Sequence, residues 1–284
     1  MKKLPVIVFI FVLSLQVYSG TMKFMTWNVE NFFDTIDTKK INDTVVSNEE
    51  YQDKLTIISG VIKKHNPDIV GLCEVENIDI LKDIATRCGY QYYYLIEGND
   101  PRGIDVAVLS VFQLSYNSNK TMITPYPGNP KYRFSRDCTE GSFIDSEGNT
   151  FYIITTHLKS KYNDDGNSEV KQIAQVNGIL DIISQIYSTE KKPPFILING
   201  DFNSNRHSPP INTLEKAGLH IMNYLVNPKN FYTYIYKGKK QDLDYIIVNN
   251  ELFSKMKTKK IYFDDSTLVK KASDHNPVIL EFNY

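Results

Sequence analysis

In this sequence, carboxylates, amides and imidazoles recur where apolar runs stop. Asn28 follows Thr26-Trp27, Glu74 follows Gly71-Leu72-Cys73, and His157 follows Thr155-Thr156. Asp201 and Asn203 follow Ile198-Asn199-Gly200, Asp244 opens the run from Tyr245, and Asp274-His275 stand just before the last one. Groups of these types transfer protons near neutrality and offer oxygen donors to hard cations. Each alone has an ordinary explanation: an Asn after a strand bonds its own backbone in a turn, and a solitary Glu is solvated. A shared chemistry requires the strand ends to converge on one crevice, where sites in mixed folds are usually built.

The elements that would position them alternate along the chain. Lys23 to Trp27 reads as a short strand. Ser47 with Glu50 three residues on forms a capping box, followed by Tyr51, Leu55, Ile58 and Ile62 at helical spacing. Asn66-Pro67 stops that helix, 69–73 reads as a buried strand, and Asn77 caps a second helix through Arg87 with Gly89 beyond its end. Strands are expected at 92–95, 104–111 and 151–155. A third helix starts near Asn167 or Ser168, with Val170, Ile173, Val176, Leu180 and Ile183 as its apolar stripe. Further strands are expected at 194–198, 245–248 and 278–282. Strands mixed with amphipathic helices imply an α/β or α+β sandwich, whose strand order periodicity does not decide.

Composition narrows the class. A length of 284 residues fits one large domain or two small ones, and no repeat or long linker divides the chain. A net charge of -1 argues against a purely electrostatic nucleic-acid binder, although bound divalent cations can supply the field a nuclease needs. Lys2 and Lys3, the apolar run from Leu4 to Leu15 and the small Ser19 and Gly20 form the pattern of an export signal. The run is shorter than the roughly 20 residues of a spanning helix. A signal peptide over 1–20, a catalytic domain over 21–284 and a secreted or periplasmic location without stable membrane insertion are therefore expected, with an uncleaved N-terminal anchor as the alternative. The three cysteines, Cys73, Cys88 and Cys138, lack zinc-site spacing; Cys73 reads as a core thiol, and a Cys88–Cys138 disulfide is open.

Taken together, Thr26-Trp27-Asn28-Val29-Glu30-Asn31, Gly71-Leu72-Cys73-Glu74-Val75, His157-Leu158-Lys159-Ser160-Lys161, Asn199-Gly200-Asp201-Phe202-Asn203, Leu243-Asp244-Tyr245-Ile246 and Ser273-Asp274-His275-Asn276-Pro277 resemble the endonuclease/exonuclease/phosphatase superfamily in type and order. The resemblance implies an α+β fold, a four-layered αββα sandwich of the deoxyribonuclease type, with the site at the crest of its two sheets. It implies Glu74 as the main ligand of Mg²⁺ or Mn²⁺, with Asn28 and Asp274 nearby. Asp201 would orient and help deprotonate the attacking water, and Asn203 would direct it or touch the phosphate. His275 would bond a non-bridging oxygen with its ring held by Asp244, and His157 would stand near the leaving group. In extended chain Asp201 and Asn203 share a face, while Asp274 and His275 point to opposite sides. Arg136, Lys159 and Lys161 are candidate phosphate contacts, with a surface ion pair as the alternative for Arg136. Arg102-Gly103-Ile104-Asp105-Val106-Ala107 resembles a family strand whose role is read as structural, and Asp242 is a rival to Asp244 for His275.

The branch is narrower still. Inositol phosphatases show Gly-Asp-x-Asn-x-Arg, whereas Asn205 fills the arginine slot in this chain and Arg206 comes one residue late. Trp27 to Asp34, His157 to Lys161 and the aromatic run Tyr232 to Tyr236 look most similar to bacterial extracellular or periplasmic nucleases. The expected protein is a monomeric, metal-dependent phosphodiesterase acting on nucleic acid, DNA first. A small-molecule or lipid diesterase or phosphatase, sphingomyelinase-like, would instead need a short walled pocket. An inactive binding module would need a vacated catalytic position. The aromatic run could stack bases or simply form an amphipathic strand.

Overall fold

A computed structural model describes residues 21–38, 42, 44–126, 132–161 and 166–284; the expected export signal lies outside the described residues. Local sequence sets the first elements. β1 (Thr21–Phe32) leads to α1 (Asn48–His65), which opens on the expected capping box: Glu50 N donates to Ser47 Oγ at 3.2 Å and Ser47 N to Glu50 Oε2 at 2.8 Å. β2 (Ile69–Val75) precedes α2 (Ile78–Cys88), where Asn77 Oδ1 accepts from the N–H groups of Asp79 and Ile80.

The chain continues through β3 (Tyr92–Leu95), β4 (Asp105–Ser110), β5 (Ser115–Ser118), β6 (Cys138–Ile144) and β7 (Thr150–His157) to α3 (Ser168–Thr189). Then come β8 (Phe195–Asp201), α4 (Pro209–Lys216), β9 (His220–Ile221), β10 (Tyr234–Tyr236), β11 (Lys239–Gln241) and β12 (Asp244–Val248). α5 (Asn250–Lys255), β13 (Thr258–Phe263) and β14 (Val278–Asn283) complete it.

Two six-stranded sheets result, ordered β13-β14-β1-β2-β4-β3 and β5-β6-β7-β8-β12-β9, each with one parallel pair (β1·β2 and β7·β8). Three apolar clusters give the layers. One joins the first sheet to α1 and α2, one joins the second sheet to α3 and α4, and the third lies between the sheets through Phe24, Ile69, Phe151, Leu197, Ile246 and Leu280. This is the αββα sandwich implied by the sequence motifs.

Period-two alternation explains where the polar residues go. On β8, Phe195 and Leu197 belong to the inter-sheet core, so Asn199 and Asp201 continue on that face. On β7 the series is Phe151, Ile153, Thr155, His157; on β1 it is Phe24, Thr26, Asn28; on β12 it is Val248, Ile246, Asp244. Each face turns from apolar to polar toward the same rim. Near that change the sheets approach so closely that a Cβ on Gly71 would lie 1.8 Å from Asn199 Oδ1, which is why β2 carries glycine there.

Three expectations are corrected. On α3 the buried face runs through Gln172, Gln175, Ile179, Ile182 and Ile186, with Val170, Ile173 and Leu180 of the expected stripe only partly buried. Gln172 and Gln175 are buried because they tie down the backbone at Lys159, Arg133 and Asn203. Cys88 and Cys138 do not pair; they sit on opposite outer layers, and all three thiols are free. Strands β5, β6, β9, β11 and β13 and helices α4 and α5 were not anticipated, because their segments are short or mix polar residues among the apolar ones.

Candidate active site

Ten of the eleven residues singled out from sequence line one cavity of about 970 Å³ at the polar rim: Asn28, Glu74, Arg136, His157, Lys159, Lys161, Asp201, Asn203, Asp274 and His275. Asp244 is the eleventh, fully buried behind His275.

Glu74 reaches the cavity through a bulge. The register of β2 against both β1 and β4 shifts around it, and its φ of 69° turns the side chain out of the ladder. Its Oε2 accepts from Asn31 N at 2.8 Å and its Oε1 from Asn28 Nδ2 at 3.2 Å. The same Asn28 amide donates to Asp201 Oδ2 at 3.0 Å, so it separates two carboxylates that would otherwise repel. Asn28 Oδ1 already accepts from Glu30 N at 3.0 Å, which leaves one lone pair for the ligand role that the family motif implies.

Asp201 is 1% exposed. Burial, reinforced by the charge of Asp244, raises its carboxyl to about 7, against the opposing pull of His275. Asn203 does not share an extended face with it. The strand ends at Asp201, Asn203 adopts φ 49°, and its N–H donates to Asp201 Oδ1 at 2.7 Å, so a tight turn brings both side chains to the cavity.

His275 Nδ1 lies 2.7 Å from Asp244 Oδ2. Burial alone would discharge the ring, but Asp244 and Asp201 override it and raise the pKa to about 10. The Asp244 carboxylate thus favours the charged ring and holds it through Nδ1. Asp242 is not a competitor: Arg206 Nε donates to it at 2.6 Å. Asp274 and His275 do not point apart, since His275 Nε2 is 3.9 Å from Asp274 Oδ1 and both line the cavity. The φ-positive turn at Glu30 supplies the reason: Glu30 Oε2 accepts Asp274 N at 2.9 Å and draws the loop inward.

His157 Nε2 stands 3.5 Å from Asp201 Oδ2 and 3.9 Å from Glu74 Oε1. These are not ion pairs, because burial and the positive charges of Arg136, His275 and Arg102 hold its pKa well below the usual value. Two histidines in one cavity are thus opposite in charge state, one neutral and one cationic.

The other wall is basic. Arg136 is no surface residue; it is 5% exposed, with Nε 2.9 Å from Asp100 Oδ2 and Nη1 donating to Leu158 O at 3.2 Å. Arg102, read from sequence as part of a structural strand, shares Asp100 and donates from Nη1 to Asn31 Oδ1 at 3.1 Å. Two guanidiniums on one carboxylate leave this wall with net positive charge.

This geometry coincides with a family-wide pattern: the Endonuclease/Exonuclease/phosphatase family model matches residues 23–278. The chain belongs to that family. Members of the endonuclease/exonuclease/phosphatase family are metal-dependent phosphoric-ester hydrolases. Among solved structures, the human nocturnin catalytic domain is similar at 20% identity and TM-score 0.68, covering 93% of this chain and 94% of that one. TDP2 from C. elegans is similar at 15% and 0.63, covering 93% and 75%, and the family protein from Bacteroides vulgatus at 16% and 0.65, covering 93% and 98%. No curated protein matches the chain.

The donor set fits the divalent cation that this family uses. Glu74, Glu30, Asp274 and Asp201 crowd the floor, and Asp274 is raised to about 6 by burial and by Glu30 and Glu74 despite His275. A cation relieves such crowding. One buried group, Asp201, Asp244 and His275, has its ligand atoms within 4.8 Å of one another. It is not the better place, because a protonated imidazole hydrogen-bonded to Asp244 cannot also ligate. Glu74 and Asp274, open to the cavity, are. Arg102, Glu30, Asn31 and Asp100 are the cavity residues whose roles sequence reading missed, although Glu30 and Asn31 stand inside the first family motif.

Proposed function

We propose that this endonuclease/exonuclease/phosphatase member is a Mg²⁺- or Mn²⁺-dependent phosphodiesterase that cleaves nucleic acid, DNA in particular. It is exported by way of residues 1–20 and acts as a monomer of residues 21–284. The observation that carries the reading is the pairing, across one cavity, of a buried base with a buried cationic donor. Both line it, with His275 Nε2 3.9 Å from Asp201 Oδ2 and His275 Nδ1 2.7 Å from Asp244 Oδ2; burial and Asp244 raise the Asp201 carboxyl, and Asp244 favours the charged ring against burial.

Asp201 takes the proton of the attacking water as the oxygen bonds to phosphorus, and Asn203 fixes the direction of attack. His275 donates from Nε2 to a non-bridging oxygen while Asp244 holds the imidazolium in place. His157, neutral, lies beside Asp201 on the leaving-group side, and the departing oxygen takes its proton from water. Glu74 and Asp274, with Asn28, would hold the cation, which neutralises charge on the phosphate when bound. Arg102, Arg136, Lys159 and Lys161 position the remaining phosphates.

One observation favours a second reading, a small-molecule or lipid diesterase: the cavity of about 970 Å³ is within the range of small-ligand pockets. Purified protein incubated with plasmid DNA, single-stranded RNA, sphingomyelin and a phosphomonoester, each with and without Mg²⁺, separates the two. Turnover of sphingomyelin or the monoester with intact plasmid and RNA rejects the nuclease assignment.

A further inference from the structure

One part of the cavity wall is a separate device. β10 and β11 form a two-stranded hairpin outside both large sheets, closed by Lys237 and Gly238 at φ 48° and 75°. Positive φ at both turn residues gives the tight mirror-image turn whose twist suits a hairpin. Alternation places Tyr234 and Tyr236 on one face and Ile235 on the other, and Tyr234 pairs across the ladder with Gln241. Tyr234, Tyr236 and Gln241 all line the active cavity.

The platform is anchored at its catalytic end and open at the other. Tyr234 bridges to His275 through the backbone, with ring centroids 4.7 Å apart and planes 33° apart. Tyr236, two residues farther out, is 46% exposed, and Lys237 Nζ lies 5.2 Å from its ring centroid. The hairpin carries Lys237, Lys239 and Lys240 and no acidic residue. An amphipathic strand serving only packing would bury these rings. Instead Tyr234 and Tyr236 both line the cavity, Tyr236 half-exposed with Lys237 Nζ beside its ring.

We infer that the β10–β11 hairpin is a base-stacking platform that makes the site selective for unpaired strands, Tyr236 receiving a nucleobase next to the scissile phosphate. This rests on the reading of the same site as that of a nuclease. In a duplex both faces of a base are stacked on neighbours and its edge is paired, so an aromatic wall has nothing to receive. An unpaired nucleotide offers a free face to the ring and a phosphate to the basic residues of the same cavity. Tyr236 is a specificity residue; it touches no reacting atom.

The test compares steady-state cleavage, in Mg²⁺, of a single-stranded oligonucleotide and the same sequence annealed as a duplex, by wild type, Tyr236→Ala and Tyr236→Phe. Thermal melts confirm that each variant is folded. Wild type should favour the single strand. Tyr236→Ala should lose about 5- to 150-fold in kcat/KM on it, the range for one base–aromatic stack, mainly through KM. Tyr236→Phe should restore it. An abasic residue at the contacted position should reproduce the loss, and Tyr236→Ala should then add nothing. Nucleic-acid cleavage with equal single-strand and duplex rates, or an unchanged KM in Tyr236→Ala, overturns the platform and leaves the nuclease assignment standing. No cleavage of either strand form overturns both. Tyr236→Ala that abolishes binding to phosphatidylcholine–sphingomyelin vesicles, with unaltered oligonucleotide turnover, overturns it in favour of a membrane contact.

Discussion

Asp201 Oδ2 and His275 Nε2 stand 3.9 Å apart at the rim of the sandwich, too far to bond each other and both turned into one cavity. Asp201 is held by Asn203 N and Asn28 Nδ2, and His275 by Asp244, so Nε2 of the ring and the remaining lone pairs of the carboxylate are left for a third partner. A phosphodiester and its attacking water supply that partner.

Asp244→Asn should lower kcat by about 10² to 10⁴ in protein that thermal melts show to be folded. The amide keeps the shape but removes the charge that sustains the imidazolium. His275→Ala and Asp201→Ala should fall at least as far. Near-wild-type turnover by His275→Ala, measured on the same substrate, would sink the assignment.

The metal-free protein should lose stability as pH rises. Asp201 and Asp274 have folded values of about 7 and 6, above those of unfolded Asp, so their protonated forms favour the fold and that contribution fades as pH passes through them. His275, raised from 6.5 to about 10, contributes fully below 6.5 and is lost as pH climbs through 10. Melting curves in chelator should fall from pH 6.5 to 10, and His275→Gln should flatten that slope. The rise in melting temperature on adding Mg²⁺ should be larger at pH 8 than at pH 5. A metal-free melting temperature that climbs between pH 6.5 and 9 contradicts these charge states.

Chelation should abolish hydrolysis, and Mg²⁺ or Mn²⁺ should restore it. In Glu74→Gln the restoring concentration should rise strongly, since one carboxylate charge is removed from the ligand set. Chelator-treated protein with full turnover rejects a metal-dependent mechanism.

Arg102→Lys should impair the enzyme by about 10- to 100-fold, the range for partners that orient a metal ligand. Arg102 forks between Asp100 and Asn31, and Asn31 N holds Glu74 Oε2. A lysine cannot make that fork. The metal titration of the variant should shift together with its KM; unchanged values of both would make Arg102 a surface residue.

Gly71→Ala should destabilise the fold by about 1–3 kcal/mol, as overpacking does. The new methyl meets Asn199, whose Nδ2 is held by Ile154 O and Thr155 Oγ1 at 2.9 and 3.0 Å and cannot swing away freely. Chemical denaturation measures this, and an unchanged midpoint would mean the sheets part without penalty.

Much of this protein is decided by sequence alone. The capping box at Ser47, the stop at Asn66 and the apolar runs of β2, β8, β12 and β14 are local signals, and period two in each strand determines which residues share the inter-sheet face. The ordered motifs also carried ten of eleven candidates to the cavity wall. Tertiary structure decided the rest, because it turned on distances between residues far apart in the chain. Spacing alone pairs neither Asp244 with His275 nor Asp242 with Arg206; the second pairing removes a rival 33 residues from the ring by sequence, and only packing reveals it. The left-handed turns at Glu30, Glu74 and Asn203 break the alternation that sequence reading assumed, which is why Asn203 and Asp274 face the cavity for reasons other than those expected. Arg102 looked structural because its worth lies in Asp100 and Asn31, which packing brings to it. The opposite charge states of His157 and His275 follow from burial and neighbouring charge, which the identity of a histidine does not encode.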